Sequence, residues 1–191
     1  MKFFAAFLYG ASVALGAPTS PLFERQANAC FVIGNQALPA EVAGIVTDIQ
    51  SRITCDPSRK TLSGVPDVSS GGISFSSVNF AASSQTALQF SLETFATKAP
   101  LASNDLATFQ RQLDVYLATE AGIRSVGGNL AIKVPKFFLE FQISRIQTAQ
   151  GNPPTAPALQ VDHKLGKVLK NAPRESQALL DQVTALSKVL A

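Results

Sequence analysis

The chain has 191 residues, 46% of them hydrophobic and only 15% charged, and its formal net charge is +3. Sixteen basic residues against thirteen acidic ones, with no dense basic cluster, argue against a nucleic-acid partner, which needs a concentrated positive surface. One histidine and two cysteines leave too few ligands for a zinc site of the usual three or four donors.

Lys2 precedes the apolar run Phe3–Ala17, which ends in small residues. A positive start, a short apolar stretch and a small-residue exit form the layout of a cleavable secretory signal over residues 1–16, with Ala14 and Gly16 before the bond. The run falls short of the roughly 20 residues that a spanning helix needs. No second long apolar run follows, so no transmembrane segment is expected, and Val183–Ala191 lacks the spacer and greasy tail of a lipid anchor. Residues 17–25 end in Glu24-Arg25 before Gln26. An exposed arginine there suits a processing protease, which would make 17–25 a propeptide; the alternative is a leader that stays attached. Dropping Lys2, Glu24 and Arg25 takes the net charge from +3 to +2. The remainder, 26–191, is one domain in size and long enough for a sizeable core.

Cys30 and Cys55 are the only cysteines. In an exported chain an even pair makes one disulfide, closing a loop of about 25 residues worth roughly 3 kcal/mol. A thiol nucleophile is the competing reading, but an oxidising compartment would cap it. None of the seven asparagines has Ser or Thr two places on, so no N-glycan acceptor exists.

Between the cysteines, Val42, Ile45, Val46, Ile49 and Ile53 recur at three and four, which predicts an amphipathic helix over 39–54 with Pro39 at its first position. Residues 56–84 are rich in Ser and Gly. There Ile73–Phe75 and Val78–Phe80 alternate as short strands or an extended lid, and Gly71-Gly72 reads as a turn. Residues 87–98 satisfy both a strand and a helix pattern; the Ala, Gln and Leu content favours the helix. Ser103-Asn104-Asp105 is a capping cluster before the stripe Leu106, Phe109, Leu113, Tyr116 and Leu117, which should stop near 122–128. From 129 to 149 apolar residues cover two helical faces, the mark of a buried central helix, with Pro135 beginning or kinking it. A strand pair is the rival there. After the Pro-rich loop 151–157 come a short helix near 161–170 and a last helix from Pro173, with Leu179, Val183, Leu186 and Leu190 as its seam. The fold class is therefore mainly α: a single-domain helical bundle with a short Ser/Gly-rich β or extended insertion, with α+β as the alternative.

His163 is the sole candidate base for a hydrolase, yet Asp162 beside it points about 100° away on a helix, and no G-x-S-x-G elbow is present. A surface histidine explains it better. Glu93, Glu120 and Glu140 lie in apolar stretches where a raised pKa could make a glycosidase acid, but each also reads as the wet side of a helix. Phe95, Phe109, Phe137, Phe138 and Phe141 could line an apolar-ligand cavity between helices, or form ordinary core. Lys164, Lys167, Lys170 and Arg174 make a basic strip for an anionic partner, or a solvated helix face. No catalytic residue, cofactor or metal ligand is assigned, and the chain is not expected to be an enzyme.

The signal, the Glu24-Arg25-Gln26 junction, the cysteine pair and the runs Leu113–Ser125 (LDVYLATEAGIRS) and Val134–Ala149 (VPKFFLEFQISRIQTA) resemble small secreted proteins of filamentous fungi. Some of these act as effectors or cell-surface antigens. The chain is also similar in layout to helical fungal surface proteins that bind apolar ligands, departing from them in segment 63–77 and the disulfide. The resemblance implies a secreted, extracellular, non-catalytic interaction protein whose partner is a protein or cell-wall component at the fungal surface or in a host. The alternative is an extracellular carrier of a lipid or other apolar ligand, and an enzyme ranks third.

Overall fold

The computed structural model describes residues 29–191. The signal at 1–16 and the segment 17–25 lie outside the described residues. The fold is mainly α, with six helices beside one small antiparallel sheet among the described residues, as the apolar periodicities predict.

α1 (Ala40–Ile49) buries Val42, Val46 and Ile49, the inner stripe of its sequence, and tightens into a 3₁₀ turn at Gln50–Arg52. Pro39 is its N-cap rather than its first residue: its carbonyl accepts from Val42 and Ala43, which needs no N–H of its own. The disulfide Cys30–Cys55 closes the segment that carries this helix, with the two Cα atoms 6.1 Å apart.

β1 (Thr54–Lys60), β2 (Pro66–Ser70) and β3 (Ile73–Ser74) pair in that order, with Cys55 opposite Val68 and Ser70 opposite Ile73. The first two strands escape the sequence reading, because neither Thr54–Lys60 nor Pro66–Ser70 alternates in hydrophobicity. The β1–β2 register slips between Asp56 and Lys60, the stretch that holds Pro57 with no N–H to donate. Gly71 and Gly72 form the predicted turn, both at positive φ (52° and 86°), as a tight two-residue hairpin demands. The other half of the expectation fails. The strand begun at Ile73 stops at Ser74, and Val78–Phe80 is no strand. Two 3₁₀ turns, Phe75–Val78 and Phe80–Ala82, replace them because Ser74 Oγ accepts from Ser77 N and Asn79 Oδ1 from Ala81 N.

α2 (Ala87–Thr94) is helical, as its composition favours; Thr86 caps it, and Glu175 from far along the chain accepts from Leu88 N at 3.1 Å. α3 (Leu106–Ser125) starts at the Asp105 cap, whose carboxylate accepts from Ala107 N. Buried Asn104 is spent on the preceding loop, binding Lys98 N, Lys98 O and Leu101 O. α3 ends at Ser125, within the expected 122–128, and it passes through Gly122 because the missing side chain lets the helix touch the Phe31 carbonyl and Val65.

α4 (Lys133–Ala149) packs against α2, α3 and against α5 (Val161–Asn171), which accounts for its two apolar faces. Pro135 lies in its first turn, where an N–H is dispensable. α6 (Gln177–Leu186) is capped by Ser176 and starts four residues beyond the expected Pro173, because a turn from Ala172 to Glu175 intervenes. One core joins these elements; Phe75, Tyr116, Phe95 and Phe90 pack edge to face through it, with centroids 5.2 to 5.9 Å apart. Among the described residues, no helix is long and apolar enough to cross a membrane.

Candidate functional site

The outer face of α3 opens a cleft of about 660 Å³ between the β2–β3 turn and α4. Helical spacing brings Ala107, Gln110, Arg111, Asp114 and Leu117 to it from α3. Ile143 of α4 and half-buried Leu113 and Leu117 supply its apolar walls, while Arg52, Ser70 and Gly71 close the other side.

Asp114 organises the polar end. Its carboxylate accepts from Arg52 Nε at 2.7 Å, Arg52 Nη2 at 2.9 Å and Ser70 Oγ at 3.0 Å. The two-pronged bond holds the Arg52 guanidinium above its ordinary pKa. Arg52 also donates through Nη1 to the Asp48 carbonyl at 2.7 Å, so one side chain ties the end of α1 to α3. With three donors on it, Asp114 anchors a cation and is not an open base.

Arg111 is different. It is exposed and makes no hydrogen bond or ion pair among the described residues. Its side chain crosses Gly71 so closely that a Cβ there would lie 2.6 Å from its Cδ and Nε. The cleft therefore presents one ion-paired guanidinium, one that makes no hydrogen bond or ion pair among the described residues, and an apolar wall, a combination suited to binding an acidic and partly apolar surface. Among the described residues, no group of three or more His, Cys, Asp or Glu side chains could hold a metal ion.

A second charged group lies in the interior. Glu120 (3% exposed) accepts from Arg124 Nε and Nη2 at 2.9 and 2.8 Å and pairs with Lys136 Nζ at 2.7 Å. Burial works to raise its carboxyl pKa, but Lys136 and then Arg124 outweigh it and hold the group below the ordinary range. This corrects the reading of Glu120 as the wet side of its helix: the apolar residues around it are core, and the charge is kept by two cations. Glu93 is exposed, and half-buried Glu140 pairs with Lys164.

The residues singled out in the sequence lie elsewhere. Phe95, Phe109, Phe138 and Phe141 belong to the core, with Phe138 and Phe141 centroids 6.0 Å apart. Phe137 is half-buried beneath Lys136 Nζ, 4.2 Å from its ring. None of the five lines the cleft. The four basic residues divide: Lys164 is taken by Glu140, while Lys167, Lys170 and Arg174 are exposed. His163 is exposed on α5. Sequence reasoning missed Arg52, Ser70, Arg111 and Asp114. A usable signal was present, since Arg111 and Asp114 share the polar face of α3, but Arg52 joins them across 62 residues of chain.

Residues 32–191 match the family described as Domain of unknown function (DUF7143), and the chain belongs to that family. No curated protein and no solved structure matches it.

Proposed function

We propose that this family member is a secreted, non-catalytic interaction protein that binds an acidic, partly apolar segment of its partner in the α3 cleft. The observation that carries this reading is Arg111, an exposed guanidinium without a hydrogen bond or ion pair among the described residues, laid across Gly71 beside the apolar wall of Leu113, Leu117 and Ile143. The Arg52–Asp114 pair supports it by fixing the cleft's far rim. A disulfide suits an oxidising compartment, and the resemblance to small secreted proteins of filamentous fungi favours a partner at the fungal surface or in a host.

The test uses immobilised, disulfide-bonded protein challenged with wall and host extracts, alongside the Arg111→Glu and Leu117→Asp variants. A partner held by the unmodified protein and lost by both variants supports the cleft. Equal retention by all three, or none by any, overturns it. A native mass spectrum showing co-purified lipid that is lost from the Leu117→Asp variant would replace it with the carrier reading.

A further inference from the structure

Two arginines among the described residues present the same edge of the guanidinium, the Nε and Nη2 pair, to a carboxylate. Arg52 uses that edge to hold both oxygens of Asp114, and Arg124 uses it to hold Glu120. Arg145 is the exception. It is 1% exposed, the largest of the fully buried side chains, and no carboxylate lies within 4 Å of it among the described residues. Its Nη1 donates to Gln142 Oε1 at 2.5 Å and to Thr97 Oγ1 at 3.4 Å, and Nη2 to the Val189 carbonyl at 2.9 Å. Nε has no partner among the described residues.

A guanidinium surrounded by neutral acceptors has surrendered its hydration without gaining a counter-charge, which is unfavourable in a core. Burial accordingly pushes the Arg145 pKa down to about 10, and even so the group is a cation at neutral pH. The Val189 carbonyl arrives on a short strap, residues 187–191, that follows α6. The Val189 side chain is 53% exposed, and partly buried Leu190 packs on the core. The Phe141 ring lies 5.6 Å from the guanidinium carbon, and Gln142 is itself held in place by donating to the Phe95 carbonyl.

We propose that the Nε/Nη2 edge of Arg145 is a carboxylate seat, half filled by the Val189 carbonyl, and that it takes an aliphatic monocarboxylate when the 187–191 strap moves aside. The carboxylate replaces one neutral acceptor and supplies a second for Nε, and the aliphatic chain takes the place Leu190 leaves. This site is separate from the α3 cleft and stands or falls without it.

The experiment titrates octanoate, with octanol as the uncharged control of equal length, into the full disulfide-bonded chain by calorimetry. Amide hydrogen exchange of residues 187–191 is followed in parallel. Octanoate should bind and octanol should not, and exchange across the strap should quicken only with octanoate. Leu190→Ala, which loosens the strap and leaves the seat intact, should tighten octanoate binding about tenfold. Arg145→Lys, which keeps the charge and loses the fork, should weaken it about tenfold. Octanol binding as well as octanoate, octanoate binding unchanged in Arg145→Lys, or no octanoate binding in Leu190→Ala would each overturn the proposal. If Arg145→Lys does not fold, the Leu190→Ala comparison and the strap exchange decide it by themselves.

Discussion

Lys136 Nζ sits 2.7 Å from Glu120 Oε2, and through this contact α4 is joined to α3 by an ion pair with both side chains buried. Taking two charges out of water is costly, so removing one partner leaves the other stranded. Lys136→Met should lower the unfolding free energy by about 3 kcal/mol, read from urea denaturation. The pair also gives an acid limb to stability. Since the Glu120 pKa is lower folded than unfolded, its contribution is complete above the ordinary value of 4.5 and fades as the pH falls through the lowered one. Stability profiles of the unmodified protein and Glu120→Gln, measured from pH 7 downward, should converge in acid.

Tyr116 donates from its hydroxyl to the Val78 carbonyl at 2.6 Å, tying α3 to the 3₁₀ turn Phe75–Val78. Burial pushes this phenol well above the usual tyrosine value. Its neutral form is therefore favoured in the fold, and the stabilisation holds below the unfolded pKa and is lost as the pH rises above it. With residues 1–25 absent Tyr116 is the sole tyrosine, so ultraviolet titration reads it directly. Phenolate absorbance should stay silent through pH 10 and appear only with unfolding. Tyr116→Phe should cost about 1–2 kcal/mol, because the Val78 carbonyl loses its donor.

Two helical glycines should respond in opposite senses. A Cβ at Gly122 would stand 2.5 Å from the Phe31 carbonyl and 2.7 Å from Val65, so Gly122→Ala should destabilise by about 1–3 kcal/mol despite better helix propensity. Gly44 is exposed in α1 with nothing within 4 Å of such a Cβ, and Gly44→Ala should stabilise by about 0.5–1 kcal/mol. Thermal unfolding of both variants checks the pair.

The Cys30–Cys55 bridge spans 25 residues and holds α1 in its loop. Replacing both cysteines with serine should cost roughly 3 kcal/mol through the freed unfolded chain. Equilibrium unfolding with and without the bridge measures it.

Much of the architecture was legible along the chain because its causes are local. The stripe of α1, the Asp105 cap, the Gly71-Gly72 turn and the two-faced α4 each follow from residues a few positions apart, where periodicity and φ preference act. The cysteine pairing was legible because two thiols leave one intramolecular choice. β1 and β2 were not, for their pairing depends on register across the sheet and not on any alternation of their own. Nor was the fate of the charges. Whether a Glu or Arg is wet or buried depends on which distant segment arrives beside it: Arg52 reaches Asp114 across 62 residues, and the Val189 carbonyl reaches Arg145 across 44. The chain by itself determined its helices, its turn and its staple, since short-range sterics and hydrogen bonding decide those. Only the tertiary structure decided where Glu120 is neutralised, where Arg111 is left open and where Arg145 is enclosed, because desolvation is a property of the assembled surroundings.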